Sequence, residues 1–389
     1  MRRRLVLMLA MAAGLVLCGA LANYLLNPYG LWSTTLIDPV FRKPDDEHVA
    51  LPYVIRSADL STLLVGTSRM VFGMRIDSLA ANGFVNAGIR AATLRESCAI
   101  VRAALANPHL KRIVWEIDFF QFKGGWDPPN REFYWRLRGG VGPPIVDTLL
   151  SLTALDSGID DVRRMLLGRA RLPASARSTV PWPPDEICRQ YGAELGRGLV
   201  ATPAPEIVRE ISVDMPNYRN YRFSESFWKL FRTTVERAQR RGVEVILFVP
   251  PMTEYELEVI RRTGGWDDFE RWKRRLVTIG PVTDFSGYNR LARADEYYND
   301  VMHHKTPIGE SLLRILLGMP APSCDGIGKN LRAAAIRLDA RNIDGAIADQ
   351  DRLMRAASAE DSRYGRLAAR ALEDQRARRA ARRHATVLP

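Results

Sequence analysis

The chain has 389 residues, 47% of them hydrophobic and 8% aromatic, enough to bury a large core and too apolar for a disordered polypeptide. The formal charge of +12 admits a polyanionic partner such as nucleic acid, a phospholipid surface or an acidic glycan. Four cysteines, Cys18, Cys98, Cys188 and Cys324, show neither CxxC nor metal-ligand spacing, which argues against a zinc module.

Arg2, Arg3 and Arg4 precede an apolar run from Leu5 to Ala22 that continues through Tyr24, Leu25 and Leu26. That length suits a membrane-spanning helix. Basic residues lie before it and the next one after it is Arg42, so the positive-inside rule keeps the N-terminus cytoplasmic and exports the rest. Ala20-Leu21-Ala22 also resembles a signal-peptidase site, whereas Leu17 before Cys18 fits a lipoprotein poorly. Each alternative puts the main domain on the periplasmic or extracytoplasmic side, and the uncleaved reading gives a single-pass protein of the inner (cytoplasmic) membrane. In an exported domain a Cys188–Cys324 disulfide is open.

Residues 27–60, rich in Pro, Asp and aromatics, read as a stalk or an irregular wrap. The first core strand is Thr62 to Val65, followed by a helical stretch through Ile76–Leu79 and a short strand Phe84–Asn86. Thr93 to Ala106 has helical periodicity, and Lys111 to Phe120 reads as a central strand. From about 123 to 205 Gly and Pro punctuation surrounds short helices near Ile145–Leu152 and Ile159–Leu167, which reads as an insertion. A helix over Ser224–Arg241, a strand over Val243–Val249, a helix over Trp266–Leu276, a short strand over Val282–Phe285 and a helix over Pro307–Leu317 complete the unit. Strands alternating with helices predict an α/β domain over 61–319, with a three-layer doubly wound parallel sheet. After Cys324 the composition turns to Ala, Arg, Leu, Asp and Glu, predicting a basic helical tail over 320–389 with no further core strand.

The chemistry concentrates in two places. Leu63-Leu64-Val65 ends in Gly66-Thr67-Ser68-Arg69, a turn that leaves a hydroxyl at the carboxyl end of a strand, where open α/β sheets place their sites. Far downstream, Asp300 and His303 stand three residues apart. A serine becomes a useful nucleophile when an imidazole takes its proton and a carboxylate orients the ring, so Ser68, His303 and Asp300 are expected to form one site. Zinc at Asp300, His303 and His304 is disfavoured, because adjacent histidines in extended chain point apart and no third spaced ligand follows. Neither a metal nor a cofactor is expected. Arg69 could steer an anionic substrate or pair with a carboxylate. Trp115, Phe119, Phe120 and Phe122 read as core, and Trp126, Trp182 and Trp266 as candidates for stacking on sugar rings.

Gly66-Thr67-Ser68 after the first strand, Asn86-Ala87-Gly88 after the second and Asp300-x-x-His303 before the last helix resemble the SGNH/GDSL hydrolase superfamily. The likeness covers roughly Leu60 to Gly318 without the insertion. It is nearest to a membrane-anchored exported branch that includes alginate O-acetylation and teichoic-acid D-alanylation proteins. The resemblance implies Ser68 as nucleophile, His303 as base, Asp300 as its orienting acid, and an oxyanion hole from the Ser68 and Gly88 amides, with Asn86 beside them. Where the superfamily's third block supplies an Asn, this chain has Asp118 and Gln121. The resemblance implies an acyl esterase or O-acyltransferase acting on an acidic or neutral envelope glycan, partnered by a membrane-bound O-acyltransferase, with nucleic acid not expected. The alternative is a non-catalytic envelope assembly protein that keeps the fold.

Overall fold

The computed structural model describes residues 2–29, 32, 36–38, 41, 47–57, 60–74, 83–125, 131–138, 142–169, 181–215, 218–360 and 362–385. The expected helix at Ile76–Leu79 and Trp126 lie outside the described residues.

Six strands form one sheet: β1 (Thr62–Val65), β2 (Phe84–Asn86), β3 (Arg112–Glu116), β4 (Glu244–Val249), β5 (Val282–Asp284) and β6 (Ile336–Leu338). Their order is β2-β1-β3-β4-β5-β6, parallel throughout except that β6 runs antiparallel to β5. β1 is apolar at Leu63, Leu64 and Val65 and buried at every position, as a central parallel strand must be. Its connections lead first to β2 on one side and then, through β3, to the other, so the strand order reverses at β1. The crevice at such a reversal is where open α/β sheets bind ligands.

β6 corrects the expectation that no strand follows Cys324. It pairs Leu338 with Val282 and Ile336 with Asp284, so the chain beyond residue 319 completes the sheet edge. The Arg363–Ala385 helix packs on the Glu254–Arg262 and Ala204–Asp214 helices. It buries Ala368, Ala371 and Leu372 while Arg370, Arg376 and Arg378 stay exposed. This part of the tail is therefore a docked element with a solvated basic face.

Local sequence explains the element ends. Thr93 caps the Leu94–Ala104 helix through a reciprocal pair: its hydroxyl accepts from the Glu96 N–H at 3.2 Å and the Glu96 carboxylate accepts from the Thr93 N–H at 2.8 Å. Within the expected stalk, Glu47–Ser57 is helical and buries Leu51, Val54 and Ile55 in the main core. The insertion contributes helices Arg131–Arg138, Gly142–Leu149, Leu152–Leu166, Pro184–Glu194 and Ala204–Asp214. A disulfide between Cys188 and Cys324 ties it to the segment that leads into β6. The Arg2–Leu26 helix is long and apolar enough to cross a membrane, and no part of its most apolar window is buried against protein.

Candidate active site

Ser68 follows the carboxyl end of β1 as the first residue of a short helix, Ser68–Gly73, capped by Thr67. His303 and Asp300 lie on the loop between β5 and the Thr306–Leu316 helix. The fold brings the three together. His303 Nε2 is 2.8 Å from Ser68 Oγ, and His303 Nδ1 is 2.8 Å from Asp300 Oδ2. The backbone N–H groups of Met302 and His303 both donate to Asp300 Oδ1 at 2.8 Å, which fixes the carboxylate under the ring. Burial alone would raise the Asp300 carboxyl, but the His303 hydrogen bond and charge and these two N–H groups outweigh it and hold it below its ordinary value. An ionised Asp300 selects the tautomer with the proton on Nδ1, leaving the Nε2 lone pair facing the serine. Phe72 meets the His303 ring edge-on at 5.1 Å. Ser68 is half-buried and the His303 side chain is 20% exposed, so solvent has access to both residues.

Two segments far apart in sequence meet because a buried polar network crosses the carboxyl ends of the sheet. Arg69, only 1% exposed, donates from Nη1 to Asp118 after β3 (2.7 Å), from Nη2 to Glu256 after β4 (2.5 Å) and from Nε to the Met302 carbonyl after β5 (3.0 Å). One guanidinium thus links the residue following Ser68 to the loop that carries His303. Its planar fork suits this work better than a point charge would. Thr67 Oγ1 lies 2.6 Å from Asp118 and 3.0 Å from Glu116, and the Tyr218 hydroxyl donates to Glu256. Burial and the neighbouring Asp118 charge push Glu116 up to about 8, so it holds a proton at neutral pH. That limits the negative charge gathered around one arginine.

The insertion buttresses the same loop. The Leu199 N–H donates to the Tyr298 carbonyl at 3.1 Å, and Lys305 Nζ donates to the Glu194 carbonyl at 3.0 Å. Thr253 Oγ1 donates to the Val301 carbonyl at 2.7 Å from below. The Ser68–Gly73 and Thr306–Leu316 helices cross where Gly73 meets Gly309. A methyl on Gly309 would sit 2.1 Å from the Gly73 carbonyl oxygen, so only glycine allows the approach.

The remaining predicted site residues lie in the buried framework around the serine. Of the two roles expected for Arg69, the structure shows the pairing with carboxylates: it is a buried ion-pair partner of Asp118 and Glu256. Asp118 is 2% exposed and engaged by Arg69 and Thr67. Gln121 is fully buried and donates to the Ala92 carbonyl at 3.1 Å. Asn86 Nδ2 donates to the Met70 and Met74 carbonyls, and its Oδ1 accepts from the Gly88 N–H at 2.9 Å. The Gly88 amide is therefore already occupied. Among the described residues, Ser68 N–H is the group at the serine that has no acceptor. Trp182 and Trp266 are buried rather than displayed for stacking, and Trp266 donates to Glu270 and Asp351 at 2.9 Å. Trp115, Phe119, Phe120 and Phe122 are core.

The sequence reading missed Glu256 and Tyr218. Their signal was weak, since Glu256 resembles any first-turn helix carboxylate behind the Thr253 cap. No protein-family model matches this chain, and no curated protein is significantly similar to it in sequence.

Proposed function

We propose that the chain is a membrane-anchored, exported serine acyl esterase or O-acyltransferase of SGNH type, with a three-layer α/β domain, acting on acyl esters of an envelope glycan. The observation that carries the chemistry is the continuous line of hydrogen bonds from Ser68 Oγ through both nitrogens of His303 to Asp300. In the acylation step His303 Nε2 takes the Ser68 proton as Oγ bonds to the acyl carbon. The carbonyl oxygen becomes an oxyanion, and the protonated imidazole then gives its proton to the leaving alkoxide. Water or a sugar hydroxyl, deprotonated by the same nitrogen, releases the acyl group in the second half. The Ser68 N–H supplies one oxyanion donor. The class of substrate, and a membrane-bound O-acyltransferase as upstream partner, come from the motif resemblance.

Export is supported by the basic Arg2–Arg4 cluster ahead of the apolar helix and by the Cys188–Cys324 disulfide, which suits an oxidising compartment. The second reading, a non-catalytic assembly protein, is favoured by the engagement of the Gly88 amide with Asn86, which leaves the oxyanion hole short of a donor. Loss of one such donor costs a rate factor of about 100 to 1000. Hydrolysis of p-nitrophenyl acetate by the detergent-solubilised chain decides between them. The enzyme reading predicts turnover that disappears in Ser68→Ala and His303→Ala. Turnover equal in wild type and Ser68→Ala contradicts it.

A further inference from the structure

The insertion carries an apolar surface that the site does not use. The Gly142–Leu149 and Leu152–Leu166 helices form a hairpin packed against the end of the Arg2–Leu26 helix. Asn23 is 2% exposed and its side-chain amide donates to the carbonyls of Thr148 (3.1 Å), Leu149 (2.9 Å) and Ser151 (2.9 Å), where the two helices join. Gly158 faces Leu26 so closely that an added methyl would lie 2.8 Å from its Cδ1. Ala154, Gly158 and Asp161 make up this buried side.

The other side of the hairpin is exposed and apolar. Leu152 (82% exposed), Ile159 (56%) and Leu166 (78%) recur every seventh residue and so line one face of the helix. Val146, Leu150 and Leu167 are exposed beside them. Asp156 and Arg163 border the stripe, Arg169 follows it, and Arg164 pairs with Asp160. A stripe of large apolar side chains edged by charges is the pattern of a helix lying in a membrane interface.

The bilayer is the occupant because of where the hairpin is fastened. If the apolar run from Leu5 to Ala22 fills the hydrocarbon layer, which takes about 20 residues, Asn23 stands at the boundary where the chain leaves it. Tyr24 and Trp32 stack there, with ring centroids 5.5 Å apart, and Trp32 Nε1 donates to the Tyr24 carbonyl at 2.7 Å. Tyr and Trp concentrate at that depth of a bilayer. A hairpin clamped to Asn23 is thereby held at headgroup level.

We propose that the Gly142–Leu167 hairpin is a second membrane contact, seated in the leaflet from which the Arg2–Leu26 helix emerges, so that the domain is held against the lipid surface and not left swinging on its anchor. This rests on reading Arg2–Leu26 as a spanning helix, and the test separates the two. In a Cys18→Ser background of the full chain, nitroxide labels are placed at Leu152→Cys and Leu166→Cys. Leu9→Cys serves as the hydrocarbon control and Arg240→Cys as the aqueous control. Depth is read from oxygen and nickel-chelate relaxation in phosphatidylethanolamine–phosphatidylglycerol nanodiscs. The hairpin labels are expected about 5–10 Å below the headgroups, with Leu9 deeper and Arg240 in water. Hairpin labels as open to the nickel chelate as Arg240, with Leu9 still in hydrocarbon, overturn the proposal and leave the anchor standing. Water access at Leu9 overturns the spanning helix itself. Labels open to water in nanodiscs yet shielded in native membranes overturn the lipid assignment in favour of a membrane-embedded protein partner.

Discussion

Asp300 divides its carboxylate between orienting an imidazole and receiving two backbone N–H groups, and that division makes its role testable. An amide at this position can no longer accept from both the ring and the loop, so the ring loses its fixed tautomer. Asp300→Asn is expected to lower kcat for a chromogenic ester about 10^4-fold while the fold persists, measured by steady-state kinetics beside circular dichroism. Glu116, beneath the serine, leaves a signature in stability instead. The folded chain keeps its proton up to about pH 8, whereas an unfolded glutamate releases it near 4.5. Between those values the native state binds more protons at this site, so the contribution of Glu116 to stability is full below pH 4.5 and is lost as pH rises towards 8. One such proton gives a slope of at most about 1.4 kcal/mol per pH unit. Thermal melts of Glu116→Gln from pH 5 to 8 should show a shallower decline than wild type. Glu310, which burial also pushes up to about 8, maintains the remainder.

At the scale of elements, legibility followed how local each signal was. A hydroxyl at a strand end and an acid three residues before a histidine are short patterns, and a parallel sheet brings its strand ends to one edge, so Ser68, Asp300 and His303 could be expected together. Thr93 with Glu96 likewise announced a helix start. β6 could not be read: Ile336-Arg337-Leu338 is three residues long within an Ala- and Arg-rich stretch, and its strand character comes from pairing with β5. The placement of Arg69 was equally hidden, because its partners Asp118 and Glu256 are 49 and 187 residues away and meet it only once the sheet has formed. The insertion gave no sign that it would brace the loop bearing His303. One cross-link to the rest of the domain is the Cys188–Cys324 bond, spanning 136 residues. Replacing both cysteines with serine should cost about 2–5 kcal/mol in denaturant unfolding and lower ester turnover as the insertion loosens. Unchanged midpoints would show that packing alone holds the insertion.

Taken as a whole, the molecule sets Ser68, hydrogen-bonded to His303, at the reversal point of a mostly parallel sheet and attaches that sheet to an apolar helix long enough to span a bilayer. The positive-inside rule, applied to Arg2, Arg3 and Arg4, predicts a cytoplasmic N-terminus. A C-terminal alkaline phosphatase fusion should be active in cells, and replacing the three arginines with glutamates should reduce that activity by weakening the topology signal. A silent wild-type fusion would place the serine in the cytoplasm and remove envelope glycans as substrates. The central claim concerns one oxygen atom, and labelling with a fluorophosphonate probe followed by peptide mapping addresses it most directly. The account predicts a single adduct on Ser68 in the wild-type chain, none in Ser68→Ala and far slower labelling in His303→Ala. A folded wild-type chain that takes up no probe, or an adduct that persists in Ser68→Ala, would contradict it.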